Sequence, residues 1–169
     1  MEKITVNEDN IFFKKNFLKK QECDQYIKIA KHPSKDICKK WSINSVATVY
    51  WEERLVDISD DPLSFKIKKL LEKQLKIKIK LTRAQIQTWM PGTHSYLHDH
   101  EGDPSLWNTV IYLNSDFKGG DFYTSNGISI KPEVGLLILF NGKKIMHGVR
   151  KVKDKNRYTL IFWWKKCEY

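Results

Sequence analysis

From Leu81 to Trp164 the chain reads as a succession of short strands, and that run restricts the folds open to it. Ala84 to Met90 is β-branched and apolar and stops at Pro91-Gly92. A short strand carrying His98 and His100 follows, then Trp107 to Leu113. A Lys118-Gly119-Gly120 turn leads into Asp121 to Thr124, and Asn126-Gly127 marks a tight turn. Ile128 to Ile130, Gly135 to Phe140, Val149 to Val152 and Arg157 to Trp164 complete the set. The first part differs. A short strand at Asn10 to Phe13 precedes a helix from Lys19 to Ala30, where Cys23, Tyr26, Ile27 and Ala30 keep helical spacing and His32-Pro33-Ser34 ends the pattern. Ser45 to Trp51 has strand composition. Asp61 before Pro62 is an N-cap signal for a helix reaching Leu75, with Leu63, Ile67, Leu70, Leu71 and Leu75 on one stripe. Two helices before about eight strands predict an α+β domain whose helices cover one face of an antiparallel sandwich or barrel-like core. The mouth of such a core suits a metal and a small cosubstrate.

With 169 residues and 41% hydrophobic content, the chain suffices for one packed domain, 1–169, in which 1–80 gives helical support and first strands and 81–169 the β core. A mean hydropathy of −0.53 without a long apolar run argues against a membrane span. Met1 to Asn10 has no signal-peptide core, and three cysteines at unrelated spacings (Cys23, Cys38, Cys167) form neither a metal knuckle nor a disulfide framework. A cytoplasmic, reducing setting is expected. The net charge of +10 is concentrated in Lys66, Lys68, Lys69, Lys73, Lys76, Lys78 and Lys80. No aromatics interleave with these lysines, so they read as a solvated helix face, and nucleic acid is not an expected partner.

The chemistry concentrates in His98-Asp99-His100, His147 and Arg157. Side chains at i and i+2 of a strand share a face, so His98 and His100 converge while Asp99 points away. His147, on a later strand, can close a three-imidazole site. Such a ligand set suits a redox-active transition metal better than Mg²⁺ or Ca²⁺. Asp103 could instead supply a carboxylate from the following loop, and Asp99 or Glu101 could do so only through a bulge. Arg157 is a charge within an apolar strand. A guanidinium there can grip a carboxylate through parallel hydrogen bonds. Tyr112 and Thr159 could add hydroxyls, and Gln87 and Trp89 are candidates to line the pocket. Trp107, Trp163 and Trp164 read as core, His94 as structural or pocket-lining, and His32 as a surface residue.

The segment from Gln87 to Trp164 resembles the iron(II)- and 2-oxoglutarate-dependent dioxygenases, especially the prolyl 4-hydroxylase-like branch. The matching pieces occur in order: Pro91-Gly92; Thr109-Val110-Ile111-Tyr112-Leu113-Asn114; Phe117-Lys118-Gly119-Gly120-Asp121-Phe122; Lys131-Pro132-Glu133-Val134-Gly135 with Leu139-Phe140; and His147-Gly148-Val149, Val152 and Arg157-Tyr158. Asn16-Phe17-Leu18 and Glu22-Cys23 resemble the family's entry into its first helix. The resemblance implies a double-stranded β-helix (jelly-roll, cupin-like) core, Fe(II) and 2-oxoglutarate as cofactors, ascorbate as a reductant, and hydroxylation with release of succinate and CO₂. It implies His98 and His147 as iron ligands and Arg157 as the anchor of 2-oxoglutarate. The family's usual acid is replaced by His100, a His-x-His variant that leaves the charge at the metal unbalanced. Two other readings stay open. A metal-binding cupin fits Gly92 and His98-x-His100, but no glutamate follows at the usual offset and Lys151 stands where asparagine is usual. A non-catalytic binding protein could also retain the fold. O₂ and a peptide or small-molecule substrate are the implied partners. Glu101 to Ser105 and Ser42 to Asp57 are expected to shape the substrate mouth.

Overall fold

The computed structural model describes residues 1–6, 9–32, 38–41, 48–49 and 53–168. In chain order the elements are β1 (Glu2–Val6), β2 (Asp9–Lys14), α1 (Lys20–Lys31), β3 (Cys38–Trp41), β4 (Thr48–Val49), β5 (Glu53–Asp57) and α2 (Leu63–Leu75). Then come β6 (Ile79–Trp89), β7 (His94–His98), β8 (Trp107–Tyr112), β9 (Phe122–Thr124), β10 (Ser129–Ile130), β11 (Leu137–Asn141), β12 (His147–Val149) and β13 (Arg157–Lys166). An eight-stranded sheet runs β1-β2-β11-β8-β13-β6-β5-β3, and a five-stranded sheet runs β10-β9-β12-β7-β4. Every described strand pair is antiparallel.

Alternation along the central strands divides the core in two. Ile111, Leu137, Leu139, Leu160, Phe162 and Trp164 pack with Cys23 and Ala30 of α1 and Leu63, Ile67 and Leu71 of α2. Their neighbours Val110, Tyr112, Ile138 and Phe140 pack with Phe122 and Ile145 between the sheets. The expected architecture is therefore present: helices on one face of the larger sheet, the smaller sheet on the other. On β13 the alternation leaves Arg157, Thr159, Ile161 and Trp163 on the face opposite the helices.

Several boundaries shift. β7 ends at His98, so His100 lies beyond the strand that was expected to carry it. The predicted strand at Val149 to Val152 is replaced by β12, three residues long and starting at His147. α2 starts one residue late: its N-cap is Pro62, but Asp61 Oδ1 still accepts the Leu63 amide hydrogen at 2.8 Å. β1 was not anticipated. Of the strand expected at Ser45 to Trp51, Thr48 and Val49 are described; the other residues, like Pro33 and Ser34, lie outside the described set. Among the described residues no helix is long and apolar enough to cross a membrane. Lys66, Lys69, Lys73, Lys76, Lys78 and Lys80 are exposed and Lys68 is half-buried. Lys66 Nζ stands 4.9 Å from the Phe17 ring centroid.

A three-histidine candidate metal centre

His98 ends β7 and His147 begins β12, and the two are direct cross-strand partners. The register shifts immediately afterwards, between His147 and Val149. His100 reaches the same place from the loop. Its amide donates to Gly142 O at 3.0 Å, which ties that loop to the end of β11. The potential ligand atoms of His98, His100 and His147 all lie within 4.8 Å of one another. Strand parity therefore does not place His100 beside His98; the loop hydrogen bond does.

His147 is 5% exposed, with its ring against Phe140 (4.5 Å between centroids) and Phe122 (5.6 Å). Its Nδ1–H donates to Ile145 O at 2.7 Å, and His98 Nδ1–H donates to Tyr96 O at 2.8 Å. A carbonyl can only accept, so both rings carry a proton on Nδ1, and in the neutral ring that leaves Nε2 as the lone pair that binds a metal. Burial, then the nearby His98 ring, pushes His100 down to about 4. Burial, then His98 and His100, holds His147 well below the ordinary histidine value. Both are therefore neutral near pH 7.

His100 Nδ1 has a different partner, Asn108 Nδ2 at 2.9 Å. Asn108 is 1% exposed on β8, and its Oδ1 is buried with no hydrogen-bond partner. Sequence reasoning overlooked it. The available signal was an asparagine in an apolar strand, two residues before the inward-facing Val110. A Cβ on Gly142 would lie 2.0 Å from Asn108 Nδ2 and 2.7 Å from His100 Nδ1, so the contact requires glycine there.

A cavity of about 460 Å³ joins the histidines to Arg157. Arg157 is 2% exposed. Its guanidinium lies 4.9 Å from the Trp89 ring and 5.1 Å from the Tyr112 ring. Nη1 donates weakly to Thr159 Oγ1 at 3.4 Å, and Nε has no partner. Among the described residues no carboxylate pairs with it. A buried charge without a counter-ion is costly, and among the described residues none offsets this one. Tyr112 Oη is also buried beside it without a hydrogen bond of acceptable geometry. Burial raises the Tyr112 pKa, against the pull of Arg157. Gly120, at φ +68°, passes so close that a Cβ would meet Phe117 at 2.6 Å and Arg157 Cδ at 3.0 Å. Gln87 and Trp89 line the cavity, joined by a 3.1 Å bond from Trp89 Nε1 to Gln87 Oε1.

Asp103 stands apart from the histidine group. Burial acts to raise its carboxyl, but hydrogen bonds from Ser105 and the Arg83 guanidinium hold it below the usual value. Arg83 lies 2.7 Å away. Asp99 is exposed, and its Oδ1 accepts the Glu101 amide hydrogen. Glu101, Gly102 and Asp103 line the cavity, as expected of that loop. His94 bonds Gly92 O at 3.1 Å and is not in the group, and His32 is exposed at the end of α1.

Residues 84–165 match the 2OG-Fe(II) oxygenase superfamily. The match spans the β core, from within β6 to within β13. The fold agrees. An oxidoreductase of this oxygenase family from Burkholderia pseudomallei superposes with a TM-score of 0.74 at 14% identity, over 92% of this chain and 84% of that one. The viral collagen prolyl hydroxylase of Paramecium Bursaria Chlorella virus-1, solved with 2OG, gives 0.69 at 20% identity, covering 94% and 96%. The prolyl hydroxylase of Trichoplax adhaerens, solved with a peptide fragment of hypoxia inducible factor, gives 0.72 at 17% identity, covering 92% and 83%. No curated protein sequence matches the chain. The matched superfamily is that of oxygenases that use Fe(II) and 2-oxoglutarate. The residues present fit those groups, since the potential ligand atoms of three imidazoles lie within 4.8 Å of one another and a buried arginine in the same cavity has no carboxylate partner among the described residues.

Proposed function

We propose that His98, His100 and His147 hold the iron of this oxygenase and that Arg157, with Tyr112 and Thr159, holds 2-oxoglutarate. The observation that carries the reading is Arg157, a buried guanidinium without a carboxylate partner in the same cavity as the three histidines. Bound together, the iron and 2-oxoglutarate supply oxidative decarboxylation to succinate and CO₂, coupled to hydroxylation of a substrate C–H bond. The chain's own residues hold, orient and shield. His98 and His147 turn Nε2 to the metal because each Nδ1–H donates to a backbone carbonyl. Arg157, held beside the Trp89 and Tyr112 rings, offers its free N–H donors to the far carboxylate of 2-oxoglutarate. The hydroxyls of Tyr112 and Thr159 complete the grip. Phe122 and Phe140 wall His147 from water.

The substrate is a prolyl or other peptide residue, or a small molecule. Prolyl hydroxylase folds among the similar structures support the first. Residues 1–169 act as one domain on this reading, supported by β2 and β5, which pair with β11 and β6 of the catalytic sheet. A reducing intracellular setting is part of the same proposal, and the buried thiol of Cys23, raised to about 11 by burial, suits it.

Anaerobic titration with Fe(II) and 2-oxoglutarate, following the visible charge-transfer band of the chelate, tests the assignment. A saturable band is expected, and Arg157→Ala should weaken 2-oxoglutarate binding about 10- to 100-fold, the equivalent of one or two charge-assisted hydrogen bonds. Iron binding without the band points to a cupin-type metal protein. No iron binding points to a non-catalytic one.

A further inference from the structure

A second cavity, of about 870 Å³, lies against the five-stranded sheet on the side that Tyr123 faces, away from its buried neighbours Phe122 and Thr124. Five cations line it, Lys118, Lys131, Arg150, Lys151 and Lys153, against one acid, Asp121. All five are exposed, and among the described residues none forms an ion pair. The backbone that carries four of them is fixed. Lys153 N–H donates to Lys118 O at 3.0 Å, Gly120 N–H to Arg150 O at 3.2 Å and Arg150 N–H to Asp121 O at 2.9 Å. Asp154 Oδ1 accepts the Lys118 amide hydrogen at 2.7 Å. At Gly119, with φ +74°, a Cβ would stand 2.0 Å from Lys151 O, so the two segments approach as closely as glycine alone permits. Like charges held together in this way repel one another, and an anionic partner relieves that cost.

The rings decide which polyanion fits. Single-stranded nucleic acid needs open aromatic faces on which its bases can stack. The Tyr123 ring is already engaged. It lies against Gly148, where a Cβ would meet it at 2.7 Å, and the Arg150 guanidinium stands 4.5 Å from its centroid. Its hydroxyl donates to Ser95 O at 3.3 Å. Tyr96, 55% exposed and edge-on to His94, is the open ring of the groove. Tyrosine and arginine are side chains enriched in protein interfaces. We propose that this groove docks an acidic polypeptide segment, a run of Asp and Glu on a partner protein. The proposal does not depend on the metal assignment. Ser95 and Val149 line both the groove and the histidine cavity, so a protein docked there stands beside the oxygenase site, across a shared wall.

Fluorescence anisotropy of a labelled oligoglutamate peptide titrated with the whole chain is the test. Saturable binding that weakens with added salt is expected. Lys151→Glu combined with Lys153→Glu should weaken it about 10-fold or more, because charges that faced the partner then repel it. Lys69→Glu combined with Lys73→Glu makes the same change in net charge at exposed positions of α2, beyond the larger sheet, and should leave the affinity within about twofold. Oligothymidylate and phosphatidylserine vesicles should bind more weakly than the peptide. Absence of peptide binding overturns the proposal. So does an equal loss in the two charge-reversed pairs, which would mark diffuse attraction to a basic protein. Tighter binding of oligothymidylate would assign the groove to nucleic acid, and tighter binding of the vesicles to a membrane surface; either overturns it. The titration needs neither metal nor 2-oxoglutarate, so a failure of the iron reading leaves its answer standing.

Discussion

His147 has the least freedom of the three histidines, with its ring packed against two phenylalanines and its Nδ1 proton committed. His147→Ala should therefore abolish Fe(II) uptake and all turnover. Metal content after anaerobic gel filtration is the check, and unchanged stoichiometry would remove His147 from the site. The same burial has a consequence for stability. His100 is neutral in the folded protein down to about 4, whereas an ordinary histidine takes its proton near 6.5. Between those values the unfolded chain binds a proton that the folded one refuses. Stability is thus fully present above 6.5 and withdrawn as pH falls toward about 4, and His147 acts in the same direction. Below that window the Asp103 and Asp116 carboxyls, lowered from 3.8, take over. Melting temperatures of the metal-free protein should drop through the histidine window, and His100→Asn should flatten part of the slope. A melting temperature that does not change there would mean that the rings are not neutral in the fold. At this scale His98, His147 and Arg157 were legible because few residue types can do their work and each stands in a strand of recognisable composition. Asn108 was not legible, because its role depends on a loop folding back onto β8.

Among the elements, the join between the helical part and the sheet depends on Gly135, just before β11. Its carbonyl accepts the Phe17 and Leu18 amide hydrogens, and its own N–H donates to Tyr112 O. At φ +75° a Cβ would lie 2.1 Å from Leu18 O. Gly135→Ala should cost more than the ~1–2 kcal/mol of a left-handed alanine, since backbone must also move. Urea unfolding would show it, and a midpoint equal to that of the unaltered protein would mean that the segment before α1 can shift freely. Strands whose two faces are both buried, such as β8, β11 and β13, were found from apolar composition. β12 was displaced because Val149 to Val152 has the better strand composition. Val152 is buried, but against Trp89 and Phe117 in an irregular segment. Composition records burial there and not pairing.

At the scale of the whole molecule, the two-sheet architecture with helices on one face was legible from the order of the elements. The strand β1 was not, because Glu2, Lys3 and Thr5 are exposed and leave no apolar face to read. Its place in the sheet nevertheless matters. β1 pairs with β2, and β2 covers β11 through Leu137↔Lys14, Ile138↔Phe13 and Leu139↔Phe12. All five residues of β11 are buried. The hairpin thus replaces an apolar, ladder-ready edge with one that carries Glu2 and Lys3, charges of the kind that discourage strand addition by another chain. Deletion of residues 1–14 should leave the candidate site's residues in the chain while turning a dispersed protein into one that self-associates, visible as concentration-dependent light scattering. A deletion variant that stays monodisperse would assign that protection elsewhere. On this view the first hairpin, remote from the chemistry, guards the colony of identical molecules around it against cross-chain sheet growth.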